Sequence, residues 1–158
     1  MILLDTHVLV WFLNGDPRLP DAVKTIILDE PQVYVSDVSF WEIGIKARLP
    51  KRGSAFLLKG RPIETEEDVR KIVNECGVQG FLTLPITTEA ILLAPFLGGE
   101  HKDPFDRMLA AQSLVPSFMT LVSADKVFDT LSPNLNRYWP GESGDDAAKR
   151  KKPSKRAT

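Results

Sequence analysis

Five acidic residues occupy positions that an α/β core would not choose for them. Asp5 closes the apolar run Met1 to Leu4, and Asp125 follows the run Met119 to Val122. Glu42 lies inside the largely apolar segment VSFWEIGI, while Asp103 and Asp106 open the segment DPFDRMLAAQ. Acids at the tips of buried strands sit where open α/β sheets bind ligands. Hard oxygen donors that converge without cysteines or paired histidines favour Mg²⁺ or Mn²⁺ over zinc or copper. The chemistry to look for is therefore a divalent-metal site.

Each acid also has an ordinary role to be weighed against that one. Asp5 and Asp125 each stand between a strand and a helix, where aspartate commonly caps the helix. Asp103 precedes Pro104, the pairing of an N-cap with proline at the first helical position. Asp106 lies one turn in, where the helix dipole favours an acid, yet it shares a face with Leu109, Ala110 and Ser113 and so points inward. Glu42 shares a helical face with Val38, Ile45 and Leu49, a face expected to be buried. A capping box of Ser39 with Glu42 is the structural alternative, but Ser36 or Asp37, directly after VYV, is the more natural cap. An unpaired buried carboxylate costs several kcal/mol, so Glu42 needs a cation, a basic partner or a raised pKa. His7 and His101 are auxiliary candidates only.

The elements that must position these residues follow from periodicity and punctuation. The pattern predicts a strand at 1–4, helices at 6–14 and 21–30, a strand at 33–36 and a helix at 37–49. A loop rich in Gly, Pro and basic residues, Pro50 to Pro62, leads to a helix over 65–76, with Thr65 and Asp68 as a capping pair and Gly77 as its end. There follow a strand at 81–84, a helix at 87–96, a break at Gly98-Gly99, a helix at 104–115, a strand at 119–123, a short helix at 126–130 and an extended piece at 135–139. Strands separated by helices imply a parallel sheet covered on both faces. Trp11, Phe12, Phe40 and Trp41 alternate with aliphatic residues and read as core.

With 158 residues, 43% of them hydrophobic, the chain suits one domain with a single core. One cysteine, Cys76, excludes an internal disulfide and a cysteine-rich zinc site. No stretch approaches the roughly 20 apolar residues that span a bilayer, and the start lacks the basic leader of a signal peptide, so the chain reads as cytosolic. Residues 141–158 hold six basic and three acidic residues and read as a disordered basic tail, leaving 14 basic and 18 acidic residues in the body. A body of that balance does not bind nucleic acid by charge alone. Between Glu42 and Glu64, however, Lys46, Arg48, Lys51, Arg52, Lys59 and Arg61 accumulate with no acid among them, the best candidate for a phosphate-facing patch. A glycine-rich phosphate loop with lysine and a GxSxG elbow are both absent, as is the second aspartate two residues after Asp5 that aspartyl-phosphate phosphatases need.

LLDTHVLVWFL, VYVSDVSFWEIGIK, HKDPFDRMLAAQ and TLVSADKVF, in that order and spacing, resemble a PIN-domain ribonuclease, specifically the VapC-type toxins of toxin-antitoxin pairs. The resemblance covers about Met1 to Trp139. It implies a PIN-like three-layer α/β/α fold with a central parallel sheet over 1–139, followed by the basic tail at 140–158. It also implies an endoribonuclease using Mg²⁺ or Mn²⁺, with the family's acids falling on Asp5, Glu42, Asp106 and Asp125. Asp103 and the Thr6 hydroxyl take supporting places, and Lys46, Arg48, Lys51 and Arg52 are candidates for contact with the RNA substrate. The resemblance further implies a homodimer silenced by a cognate antitoxin whose extended segment crosses the acidic groove, and hydrolysis leaving a 5′-phosphate and a 3′-hydroxyl. A catalytically silent PIN-like binding module is the competing reading, and a structure-specific DNA nuclease a third.

Overall fold

A computed structural model describes residues 1–49, 56–115 and 119–141. Five short strands, β1 (Ile2–Leu4), β2 (Val33–Ser36), β5 (Leu82–Leu84), β6 (Thr120–Val122) and β7 (Asn136–Tyr138), form one parallel sheet in the order β5-β2-β1-β6-β7. Its helices are α1 (Thr6–Asn14), α2 (Asp21–Asp29), α3 (Asp37–Arg48), α4 (Glu66–Val78), α5 (Thr88–Leu93), α6 (Pro104–Leu114) and α7 (Phe128–Leu131). A two-stranded antiparallel hairpin, β3 (Leu57–Leu58) and β4 (Arg61–Pro62), precedes α4.

Side chains alternate across a strand, so β1 serves two cores. Ile2 and Leu4 pack with Val8, Val23, Ile27, Ile72 and Cys76 on one face. Leu3 packs with Ala90, Leu109, Leu121 and Phe128 on the other. The helices are thus sorted, with α1, α2 and α4 on the first face and α5, α6 and α7 on the second. This sorting follows from topology. The chain steps from β1 to β2 to β5 in one direction, then returns to place β6 on the other side of β1. Right-handed crossovers in opposite directions put their helices on opposite faces. The point of reversal lies between β1 and β6, and the carboxyl ends of strands at such a point are where open α/β sheets bind ligands.

Several local signals act as the sequence leads one to expect. Ser36 caps α3, its Oγ accepting from the Val38 amide at 3.0 Å. Thr65 and Asp68 form a full capping box on α4. Asp103 caps α6 by accepting from the Phe105 amide at 2.9 Å, with Pro104 next.

Three expectations are corrected. The segment expected as a loop from Pro50 to Pro62 contains the β3–β4 hairpin, in which Asn14 bridges α1 to the turn, donating to the Leu57 carbonyl and accepting from the Lys59 amide. Its residues 50–55 lie outside the described residues. Helix α4 runs through Gly77 to Val78, and the left-handed turn falls instead at Gly80, φ +77°. On α3, Ile45 and Leu49 are exposed, as is Trp41 at 58%. The buried face of α3 is Val38, Ser39, Glu42 and Ile43, the face turned to α1, α4 and α6. The basic tail lies, from residue 142 on, outside the described residues. Among the described residues, no helix is long and apolar enough to cross a membrane.

Candidate metal centre

Asp5 sits at the N-cap position of α1 but does not use its side chain to cap it. Its carboxylate accepts instead from Ser123 Oγ at 2.6 Å, a bond that joins the ends of β1 and β6. The carboxylate is 5% exposed. Burial raises its pKa above the ordinary carboxylate value, opposed by the Ser123 hydrogen bond and His7 and reinforced by the charge of Glu42. Serine at this point holds a buried acid in place without neutralising it.

Glu42, 2% exposed, lies in the second turn of α3. One oxygen accepts from Lys46 Nζ, one turn further along the helix. The other, Oε2, is buried and has no hydrogen-bond partner among the described residues. Such an atom is costly to keep and calls for a ligand. Thr6 donates to Ser39 Oγ at 2.9 Å and so ties the start of α1 to the face of α3 that carries Glu42.

Asp106 lies in the first turn of α6, on the inward face with Leu109, Ala110 and Ser113, all buried. His101 Nε2 lies 2.7 Å from its Oδ2. Burial pushes the Asp106 carboxyl up to about 6; the His101 contact opposes the rise, and the charges of Asp103, Asp5 and Glu42 add to it. His101, Asp103 and Asp106 each offer one ligand atom, all within 4.8 Å of one another. The charges of Asp5 and Glu42 also reach Asp106, although the ligand atoms found within 4.8 Å of one another are those of His101, Asp103 and Asp106. Like charges in a partly dry pocket repel, and a multivalent cation relieves them. The donor set, carboxylate oxygens with one imidazole at the rim, fits a hard divalent ion.

Asp125 stands apart from this group. It is exposed, and its Oδ1 accepts from the Val127 amide at 2.9 Å, a local turn just ahead of α7 rather than the helix cap expected from the sequence, since Val127 itself holds the N-cap position. It is nevertheless linked to the centre, because its own amide donates to Ser123 Oγ, the hydroxyl that holds Asp5. Of the basic candidates, Lys46 is turned onto Glu42, Arg48 is exposed, and Lys51 and Arg52 lie outside the described residues. Cys76 is buried, with its thiol pushed up to about 12 chiefly by burial, and so does not supply a thiolate.

Sequence reasoning missed the residues that hold the acids. Ser36 donates to Gln112 Oε1 at 2.5 Å, and Gln112 Nε2 donates to the Pro85 carbonyl at 3.0 Å, pinning α6 to the ends of β2 and β5. Arg107 donates to the carbonyls of Ala94, Pro95, Leu97, Gly98 and His101, fastening the segment that presents His101. A signal did exist for some of them: a lone polar residue after an apolar strand, as at Ser36 and Ser123, or amid an apolar helix, as at Gln112.

The PIN domain family model matches residues 2–132 of this chain. No curated protein sequence matches it. Three solved structures share the fold. A chain in the structure of VapBC2 from Rickettsia felis bound to a promoter DNA fragment is 16% identical, with a TM-score of 0.59 over 87% of this chain and 98% of that one. A chain of FitAB bound to an IR36 DNA fragment is 21% identical, with a TM-score of 0.58 over 87% and 94%. A chain of FitAcB from Neisseria gonorrhoeae is 18% identical, with a TM-score of 0.59 over 90% and 100%.

Proposed function

This chain belongs to the PIN domain family, and from that premise we propose that it is an endoribonuclease dependent on Mg²⁺ or Mn²⁺ and the toxin of a toxin-antitoxin pair. The observation that carries the reading is the buried Glu42 Oε2, without a hydrogen-bond partner among the described residues, on an acid that adds with Asp103 and Asp5 to the effect of burial in raising the Asp106 carboxyl. Asp5, Glu42 and Asp106 are the ligands, with Asp103 in support and Asp125 at the rim beside Ser123. When bound, the divalent ion supplies a water of lowered pKa and offsets charge building on the phosphate.

The chain's own residues do the positioning. Ser123 fixes one Asp5 oxygen. Thr6 and Ser39 hold α1 against α3, and the Ser36–Gln112 pair fixes α6 relative to both. The acids serve chiefly as ligands. Arg48, exposed at the end of α3, meets the phosphate backbone of RNA, giving contact that is local in a mildly acidic body. Hydrolysis leaves a 5′-phosphate and a 3′-hydroxyl.

The antitoxin reading is supported by the likeness to the VapBC2 and FitAB structures and by the exposed apolar stripe Trp41, Ile45 and Leu49, which runs along the helix that carries Glu42. Ile91, Leu92 and Phe96, also exposed, suit the second copy of a homodimer.

To test this, the purified protein, freed of any partner, is incubated with labelled structured RNAs and Mn²⁺, Mg²⁺ or excess EDTA. Discrete cleavage with either metal and none with EDTA is expected. Cleavage that persists undiminished in EDTA would sink the metal assignment. A folded, metal-replete protein that cuts nothing on a broad panel would favour the binding-module reading.

A further inference from the structure

Lys46 occupies a singular place. Its ammonium bonds Glu42 across one helical turn, lies 5.7 Å from the centre of the Phe56 ring, and feels the charges of Asp103 and Asp106 as well. Among the described residues it is the lysine that reaches the carboxylates. Two features distinguish the pair from a fixed structural ion pair. Buried ion pairs persist when their remaining lone pairs are satisfied, and here Glu42 Oε2 is left without a hydrogen-bond partner among the described residues. The Lys46 side chain is also 31% exposed, so the ammonium has a path to water that Glu42, at 2%, does not.

We infer that Lys46 is a tethered counter-ion of the metal centre, holding a Glu42 oxygen that a divalent cation requires, so that metal uptake is an exchange in which the ammonium leaves Glu42 for solvent. The inference rests on the reading of the carboxylates as a divalent-ion site. A single positive charge on one oxygen neutralises the group only in part. A divalent ion bound by several carboxylate oxygens neutralises more of it. A lysine suits the exchange because its charge is compact and its flexible stem can stay packed while the head moves to water. The metal-free chain is thereby spared a wholly uncompensated cluster, and its metal affinity is lower than the same ligands would give without the lysine.

The test uses the full chain and two readouts. Mn²⁺ affinity is measured by electron paramagnetic resonance for the wild type, Lys46→Met, Lys46→Gln and Asp5→Asn. Methionine keeps the stem's packing, and glutamine keeps a polar head should methionine prove unstable. Removing the competitor is expected to tighten Mn²⁺ binding about tenfold, equivalent to about 1.4 kcal/mol. In the wild type, Mg²⁺ is expected to speed modification of Lys46 by an amine-selective reagent several-fold, read by peptide mass spectrometry. Unchanged or weaker Mn²⁺ binding in both Lys46 variants, or a Lys46 modification rate indifferent to Mg²⁺, overturns the exchange. If the wild type binds Mn²⁺ and Asp5→Asn does not, that failure belongs to the exchange alone. If neither the wild type nor any Lys46 variant binds Mn²⁺, the metal reading falls with it.

Discussion

Asp5 and Asp125 occupy similar places in the sequence, each between a strand and a helix, yet the fold uses them differently. Asp125 takes the local bond to Val127, while Asp5 makes no full cap of its own helix, keeps only a lesser contact with the His7 amide, and is held chiefly by Ser123, 118 residues away. An acid whose main partner is distant is held for more than local structure. The burial of Asp5 and Asp106 has a consequence for stability. Both carboxyls have raised pKa values in the folded state, Asp106 at about 6 against an ordinary 3.8. The folded chain therefore holds protons that the unfolded chain has released. That contribution is fully present below about pH 4 and is lost as pH rises through about 6. Asp16, shifted the other way to about 2, completes most of its effect below this window, while Glu30, lowered from 4.5, adds a little stability with rising pH at the window's lower edge. Between pH 4.5 and 7.5 in EDTA, Asp106 alone should cost the metal-free protein about 2 kcal/mol, read from urea unfolding. Mn²⁺ should restore it at the higher pH. A metal-free protein that gained stability across that interval would contradict the burial argument.

At the scale of elements, the starts of helices were the most legible feature, because a cap is a local bond between residues two or three apart. Ser36, the Thr65–Asp68 box and the Asp103-Pro104 start all stand where the sequence put them. What failed depended on neighbours. Ile45 and Leu49 follow the apolar period of α3 yet are exposed, since periodicity cannot tell which face of a helix its neighbours cover. The carboxylates were legible as acids out of place; Ser123, Gln112 and Arg107 were not, because their partners are brought near only by the sheet. The Gly98-Gly99 break shows the same dependence. Gly99 has φ +70°, and a Cβ there would lie 2.8 Å from Thr130 Oγ1 and 3.1 Å from the Thr130 carbonyl. This close approach seats the segment leading to His101 and Asp103 against α7. Gly99→Ala should therefore destabilise the protein by about 1–3 kcal/mol, seen as a lower urea midpoint. Thr130→Ala in the same chain should recover only part, because the carbonyl and the backbone conformation remain. A midpoint unchanged by Gly99→Ala would show that the segment is not seated there.

For the molecule as a whole, the reversal of strand order is what turns scattered acids into a centre. The sheet places β1 and β6 side by side although their residues are more than a hundred positions apart, and Asp5 and Ser123 join their carboxyl ends. Helix α3 arrives from one side with Glu42 and α6 from the other with Asp106, each kept there by polar bonds beneath the site. The fold family was readable from the order of four fragments; the division of labour between ligands and their holders was not. The most direct test of the central claim compares metal-dependent cleavage of labelled RNA by the wild type and by Asp5→Asn, which removes one ligand charge at nearly constant volume. With the variant's circular dichroism matching the parent's, Mn²⁺-dependent cleavage should fall by at least about a hundredfold, the scale on which preorganised charge acts in catalysis. Cleavage by folded Asp5→Asn at the rate of the parent would contradict the assignment of this site as the catalytic metal centre.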